Sequence, residues 1–381
     1  MSLTESIKAE AYALGFDLIG VAPATRALHA DAYVSWVDAG YAATMGYMAR
    51  DVTRRGDPRH VMPGARSVLV VGLSYFVADP PAELWNDPSR GRLARYAWGA
   101  DYHEVMTPRL RQLADFITHQ TQREVRHRAY VDTGPVLERD FAARAGLGFI
   151  GKNTCLINPG MGSYLFLGEI LVDLELDFDE PAGDSGATLA IPPGRQSMFN
   201  PDGQPSPGSN RTGGQHGQWR IGTCGACTRC LKACPTHAFP SPYVLDSNRC
   251  ISYLTIELKS SIPPDLRPLM GNWIFGCDEC QSVCPWPRRF AQPTRADYVR
   301  FDPEQVAPKL LDIFALDDQA FRSRFRHTPI WRARRQGLLR NVAVALGNWG
   351  APQAVPALRG ALDDPEPLIR EHAAWALTRI R

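Results

Sequence analysis

Cysteine is the residue type whose spacing carries the most chemistry in this chain. Cys224-x-x-Cys227-x-x-Cys230-x-x-x-Cys234-Pro235 sets three thiols at equal intervals and a fourth just ahead of a proline. Bacterial ferredoxins bind four-iron four-sulfur clusters with this run. Three thiolates hold irons of one cubane, and the cysteine before the proline ligates its neighbour. A looser second half follows as Cys277-x-x-Cys280-x-x-x-Cys284-Pro285, with Cys250 upstream in the first place. Crossed on the ferredoxin plan, one cluster takes Cys224, Cys227, Cys230 and Cys284. The other takes Cys234, Cys250, Cys277 and Cys280, and of the nine cysteines only Cys155 is left over. Zinc also takes Cys-x-x-Cys pairs, but as two separated pairs, without a third cysteine in step or a following Cys-Pro. Paired cubanes relay single electrons and do no chemistry on a substrate. The remaining chain must supply the acceptor.

Asp132, in Val-Asp-Thr-Gly-Pro, lies where a strand gives way to a helix. It is either a turn or N-cap residue, or a carboxylic acid held at the edge of a sheet, where α/β folds place ligands. Partial burial there would let it donate a proton near neutrality. Gly146-x-Gly148-x-x-Gly151 has the letters of a dinucleotide fingerprint, but it follows a helix and leads into a strand, the reverse of the required order. Its glycines suit tight turns or close approach to a large flat cofactor. Asp101-Tyr-His103 begins like a run that ligates cobalt through histidine, yet Met106 stands where that run has glycine. His103 therefore reads as a polar residue at a helix start. Between Arg322 and Arg340 lie seven arginines and no acid, beside Phe321, Phe325 and Trp331. The run is a solvated face or, since ordinary surfaces mix signs, a set of phosphate and base contacts.

The elements that must position these residues follow from pattern. With 381 residues, 44% hydrophobic content and 22% charge, the chain can fill two or three ordinary cores. Its formal net charge of +2 says little about partners. No apolar run approaches the ~20 residues needed to span a bilayer. The acidic N-terminus lacks the basic start and apolar core of a signal peptide, so a cytoplasmic, monomeric protein with reduced thiols is expected. Ser2 and Glu5 form a capping box for a first helix ended by Gly15. Strands are expected at 16–21, 67–75 and 125–132, and a helix from about Tyr102 to His119. Pro135 suits the first turn of a helix that Gly146 would cap, and strands near 154–157 and 163–172 flank Asn158-Pro159-Gly160. This alternation indicates an α/β or α+β domain over 1–178. Residues 179–218, rich in Gly, Pro and Ser, read as a flexible linker or insertion. The cysteine-rich segment occupies 219–290. From about 300 to 381 the chain is helical, and Ala343-Val-Ala-Leu-Gly347 recurs as Ala374-Trp-Ala-Leu-Thr378, the mark of a short HEAT-type array.

Five stretches carry a resemblance over nearly the whole chain: ARYAWGADYHEVM at 94–106, VDTGPVLERDFAARAGLGFIGKNT at 131–154, GSYLFLGEI at 162–170, CISYLTIE at 250–257 and FGCDECQSVCPWP at 275–287. With the cysteine pattern and the basic helical C-terminus, they resemble the epoxyqueuosine reductases, which complete queuosine in tRNA and share cobalamin and two clusters with reductive dehalogenases. The resemblance implies a multidomain α+β protein. It would have an α/β cobalamin-binding domain, a ferredoxin-like two-cluster domain and HEAT-like repeats for tRNA. It implies deoxygenation of epoxyqueuosine to queuosine at the wobble position, with Asp132 as proton donor and an external electron donor. Cobalamin would lie among Arg55, Tyr96 or Ala97, Asp132, Arg139, Leu156, Ser252, Cys277 and Asp278. In the loose stretch RDVTRRGDPR, Arg54 fits as well as Arg55. Lys259 would meet the tRNA anticodon stem-loop, with Arg332, Arg334 and Arg335 of the basic stretch beside it. A small-molecule dehalogenase has no use for the seven arginines, and a mere electron carrier with an RNA-binding appendage needs no third domain.

Overall fold

The computed structural model describes residues 1–181, 224–294 and 298–380, so nearly all of the expected linker at 179–218 lies outside the described residues. Ser2 and Glu5 make the capping box their spacing predicts: each side chain accepts from the other's backbone N–H. Helix α1 (Leu3–Ala13) buries Ile7 and Ala11, one turn apart, and the chain leaves it through Gly15 at φ +86°.

In chain order there follow β1 (Leu18–Pro23), β2 (Ser67–Ser74), β3 (Arg92–Leu93), α2 (Tyr102–Thr121), β4 (His127–Tyr130), α3 (Glu138–Arg144), β5 (Phe149–Ile150), β6 (Leu156–Ile157) and β7 (Leu165–Val172). Four of these strands form one sheet in the order β1-β2-β7-β4, with every neighbouring pair antiparallel. The N-terminal domain is therefore α+β, which corrects the α/β reading. The cause is burial. One face, with Ile19, Val21, Leu69, Val71, Phe166 and Ile170, lies under α1 and α2. The other, with Leu18, Val68, Val70 and Leu171, lies under α3. Strands covered on both faces read as unbroken apolar runs whichever way they point, and all eight residues of β2 are buried. Pro135 also departs from expectation. It sits in a loop over 131–137, and α3 begins only at Glu138.

The cysteine-rich segment contributes α4 (Ile251–Ile256) and β8 (Trp273–Phe275). Strand β8 pairs in parallel with β3, so backbone hydrogen bonds cross from the N-terminal layer into the cysteine-bearing one. The C-terminal part adds α5 (Arg334–Trp349), α6 (Val355–Gly360) and α7 (Pro367–Arg379). The two related motifs lie on α5 and α7, where Val342, Ala343 and Leu346 share a core with Ile369, Ala373 and Ala376.

Two buried polar residues fasten α5 to its neighbours. The Arg340 guanidinium, 1% exposed, donates to the carbonyls of Leu254, Leu258 and Ser260, each at 2.7 Å. Asn341 Nδ2 donates to the Thr255 and Ile274 carbonyls at 2.8 and 2.9 Å, and its Oδ1 accepts from Arg340. One of the seven arginines is thus an internal strut. Asn341→Ala leaves both carbonyls unpaired in a dry interface, and each is expected to cost about 1–3 kcal/mol. Thermal unfolding should show a clearly lowered midpoint, and a midpoint equal to the parent's would remove Asn341 from this role.

Candidate functional site

Asp132 follows the last residues of β4 in a left-handed conformation, φ +58°. A non-glycine residue in that region is uncommon and is kept only where surroundings hold it. It caps no helix, because α3 starts well beyond it. Two side chains hold it. Tyr102, in the first turn of α2, donates its hydroxyl to Asp132 Oδ2 at 2.6 Å. Arg332, from the short turn Pro329–Ala333, sets Nη1 3.3 Å from the same hydroxyl and 3.5 Å from Asp132 Oδ2. Burial and the Asp132 carboxylate push the Tyr102 phenol far above its ordinary range, so it remains a donor. The Arg332 guanidinium also covers the Tyr102 ring and lies 2.8 Å from His103 Nδ1. Asp101 caps α2 by accepting from the His103 N–H, which aims Tyr102 at the loop. The Asp132 side chain is 49% exposed, so it faces both its partners and an open side.

Around this loop gather most of the residues expected to hold a cofactor. Arg55 donates to the Gly134 carbonyl at 3.3 Å and so grips the Asp132 loop, while the Arg54 N–H is taken up locally by Asp51. Arg139 donates to the Thr154 carbonyl at 2.5 Å, and Thr154 is a second left-handed residue at φ +64°. Ala97 is buried in the turn Arg95–Ala97. The neighbouring Tyr96 ring packs edge-on to Tyr102 and tilted against Phe275, with both Asp132 and Asp278 near enough to bear on its phenol. Asp278, 1% exposed, accepts from the Arg95 N–H at 2.7 Å, with Arg95 Nη1 3.6 Å away. Burial pushes its carboxyl up and Arg95 opposes the shift. Ser252 lies half-buried on α4. Leu156 is set apart: its side chain belongs to the core beneath α3, leaving only its backbone to a ligand.

The cysteines fall into two neighbourhoods. Burial and then the thiols of Cys224, Cys230 and Cys227 push Cys284 to about 11. Burial likewise raises Cys250, which feels Cys234, and Cys277, which feels Cys250. Cys280 is raised first by its hydrogen bond with Cys155, then by burial, with Cys277 and Cys250 adding to it. Cys155 also bears on Cys280 and Cys250, so the second neighbourhood holds five thiols and the first four. Among the described residues no three His, Cys, Asp or Glu side chains converge where one metal ion would sit.

Motif residues whose roles the sequence leaves unread complete the site. Lys152 donates its N–H to Cys224 Sγ at 3.3 Å and its ammonium to the Gly225 and Cys227 carbonyls at 2.7 and 3.0 Å. The glycines before it serve packing within the hairpin. A Cβ at Gly148 would lie 2.4 Å from the Ile157 carbonyl oxygen, and one at Gly151 2.5 Å from Ile157 Cδ1. Tyr102 and Arg95 sit in the stretch ARYAWGADYHEVM, and Lys152 in GLGFIGKNT, so position in a motif was the available signal.

The basic stretch divides. Arg332 turns inward to Asp132, because the Pro329–Ala333 turn folds back over the start of α2. Arg335 is tied to Asp364 at 2.7 Å and to the Leu316 carbonyl at 2.8 Å. Arg334 is exposed over the Trp331 ring, and Arg322, Arg326, Arg334 and Arg335 line one shallow groove with Phe321, Trp331 and a single acid, Asp318. Lys259 donates to the Arg332 carbonyl at 3.3 Å, which joins it to the same rim. Loss of iron from the purified protein is expected for Cys230→Ser and for Cys280→Ser, whereas Cys155→Ser should keep the parent's iron. Unchanged iron in both of the first two would defeat the grouping.

Comparison with known proteins gives three matching family models. They are Epoxyqueuosine reductase QueG, DUF1730 over residues 55–133, a 4Fe-4S double cluster binding domain over 223–287, and HEAT repeats over 332–381. An epoxyqueuosine reductase of Pseudomonas aeruginosa is 40% identical, across 99% of this chain and 94% of that protein. A crystal structure of epoxyqueuosine reductase with an epoxyqueuosine-modified tRNA-Tyr stem loop superposes with a TM-score of 0.82 at 30% identity, covering 99% of this chain and 90% of that one. Another, from Bacillus subtilis, whose catalytic aspartate loop is swung out of the active site, superposes with a TM-score of 0.82 at 29% identity and the same coverage. With this extent of likeness in sequence and in fold, the chain belongs to the epoxyqueuosine reductase family.

Proposed function

We propose that this chain deoxygenates epoxyqueuosine to queuosine at the wobble position of tRNA. The observation that carries the reading is Asp132, kept in a strained conformation by Tyr102 and Arg332 on an open rim. The Asp278 side of the cysteine layer lies across one aromatic ring from it. One cluster would be held by Cys224, Cys227, Cys230 and Cys284, the other by Cys234, Cys250, Cys277 and Cys280. The wall between the Asp132 loop and Cys277–Asp278 suits a corrin, which carries amide arms and a phosphate. Arg55 and Arg139 offer donors at the rim, Ala97 keeps the floor small, and Ser252 and the Leu156 backbone add polar groups. Bound there, cobalamin supplies two-electron reducing power, fed one electron at a time by the clusters from an external donor.

The chain's own residues orient and protonate. An epoxide oxygen leaves poorly as an alkoxide, and a positioned acid contributes about 10²–10⁴-fold. Asp132 is that acid. Tyr102 fixes its Oδ2, and Arg332 steadies the carboxylate left after the proton is given up. The loop swung out in the Bacillus subtilis protein supports a loop that admits substrate before Tyr102 and Arg332 clasp it. The tRNA stem-loop would lie on the rim from Lys259 through Arg334 to the arginine groove, on a monomer working in the cytoplasm.

Asp132→Asn is expected to keep iron and cobalamin yet lose at least a hundredfold in turnover of epoxyqueuosine tRNA, in line with the general-acid range of about 10²–10⁴. A near-parent rate would make Asp132 a turn residue only. For tRNA binding, Arg322, Arg326 and Arg334 are the arginines to neutralise, since Arg332 serves Asp132 and Arg335 is paired. With about 0.7 counterions released per single-strand phosphate, the triple change should flatten the log–log salt slope by about 2. Equal affinity at every salt concentration would leave the groove a solvated face.

A further inference from the structure

Electrons must enter this protein from outside, and its two cysteine sets are not equally placed to receive them. The set Cys234, Cys250, Cys277 and Cys280 is flanked by buried residues. Thr236 and Ala238 follow Cys234, Ser247 and Ile251 stand about Cys250, and Gly276 and Asp278 enclose Cys277. The set Cys224, Cys227, Cys230 and Cys284 reaches the surface. Gly225 and Ala226, between Cys224 and Cys227, are both exposed, and a Cβ on Gly225 would meet no described atom within 4 Å. Arg229 and Lys232, on either side of Cys230, are exposed, as are Arg288 and Arg289 in the helix that Cys284 opens.

Hydrogen bonds tie this edge together. The Lys152 N–H donates to Cys224 Sγ, its ammonium donates to the Gly225 and Cys227 carbonyls, and its own carbonyl accepts from the Tyr243 N–H at 3.0 Å. Tyr243 is 51% exposed, a large aromatic surface left open to water. Below it, Cys284 and Cys224 pack with Phe149, Ile157 and Trp286 in one small apolar cluster. The helix Arg229–Ala233 packs on Glu279–Ser282, the turn that leads into Cys284. Both basic segments therefore flank the same four thiols.

The charge here is of one sign. Over 224–245 and 281–294 the chain carries Arg229, Lys232, Arg288 and Arg289 and no aspartate or glutamate. None of these four side chains has an ion-pair or hydrogen-bond partner among the described residues, and Arg289 only rests against the Phe290 ring. Cations in water are screened and do little for buried thiolates, so they are free to meet something from outside. The stretch 182–223 that runs into Cys224 holds three arginines and two aspartates, so it does not supply the missing negative charge. An exposed tyrosine with a charged rim has the anatomy of a protein interface. Electron transfer weakens steeply with distance, so a donor must bring its own redox centre to the edge nearest the thiols.

We propose that this face docks a small acidic protein that carries one electron at a time, and that electrons enter through the set completed by Cys284. The step balances. The reduced carrier loses one electron, the cluster on Cys224, Cys227, Cys230 and Cys284 gains it, and no bond or proton changes hands. The inference rests on the cluster grouping proposed above and on nothing in the epoxide chemistry.

The test uses the iron-loaded full chain, with reduced flavodoxin, a small acidic flavin protein, as the probe. Bleaching of the cluster absorbance after mixing reports the electron's arrival without any turnover. At low salt the second-order rate should fall at least about tenfold in the variant R229E/K232E/R288E/R289E, the lower end of the roughly 10–10³-fold range of electrostatic steering. The parent's rate should drop with rising ionic strength, and the variant's should not. Iron content should match the parent's, and reduced methyl viologen, a small cation with no use for a basic face, should bleach the variant no more slowly. Equal flavodoxin rates in parent and variant overturn the docking face, and a loss of tRNA affinity alongside them assigns it to RNA instead. A parent rate indifferent to salt, or a parent that methyl viologen reduces and flavodoxin does not, overturns it whatever the variant does. A parent that flavodoxin bleaches in a salt-dependent way, yet that never deoxygenates the tRNA, overturns the proposed function and leaves the docking face standing.

Discussion

The contact on which the rest of the site depends is the clasp of Tyr102 and Arg332 on the Asp132 carboxylate. Left alone, an aspartate at φ +58° would relax into an ordinary turn. A hydrogen bond to a charged acceptor, worth about 1.5–3 kcal/mol, is of the size needed to hold a strain of about 1–3 kcal/mol. The two partners come from the first turn of α2 and from the turn ahead of α5. The carboxylate is therefore held in this conformation only when the sheet, the long helix and the C-terminal helices are all in place.

That requirement is met by interfaces in which backbone pairs and buried polar groups stand beside ion pairs such as Arg90–Glu304 and Arg92–Glu279. Strand β3 pairs with β8, the Arg95 N–H is held by Asp278, and Arg340 and Asn341 reach the carbonyls of α4 and β8. Each such bond is directional and fails if the layers slide. Apolar packing alone would tolerate small shifts, and a proton donor misplaced by an ångström loses much of its effect.

How far the sequence foretold this depends on the length of chain over which each feature is set. The two-cluster segment was legible because ligand spacing is a local, nearly covalent property. The capping box at Ser2 and the left-handed exit at Gly15 were legible for the same reason. Asp132 was visible through its motif, but its partners were not, since Tyr102 lies 30 residues away and Arg332 a further 200 beyond Asp132. Strand direction was hidden because the sheet is covered on both faces. The arginines between 322 and 340 looked alike as letters. Only tertiary structure separates the strut Arg340, the paired Arg335, the inward Arg332 and the groove residues.

The crossed ligation proposed for the two cysteine groups has a consequence for how the protein is made. Cys224, Cys227 and Cys230 wait for Cys284, while Cys234, Cys250, Cys277 and Cys280 all fall between them. The sets are nested, one inside the other, along the chain. As the polypeptide leaves the ribosome, the inner set is complete first and the outer set closes around it last. A chain cut short anywhere before Cys284 thus carries an unfinished outer set.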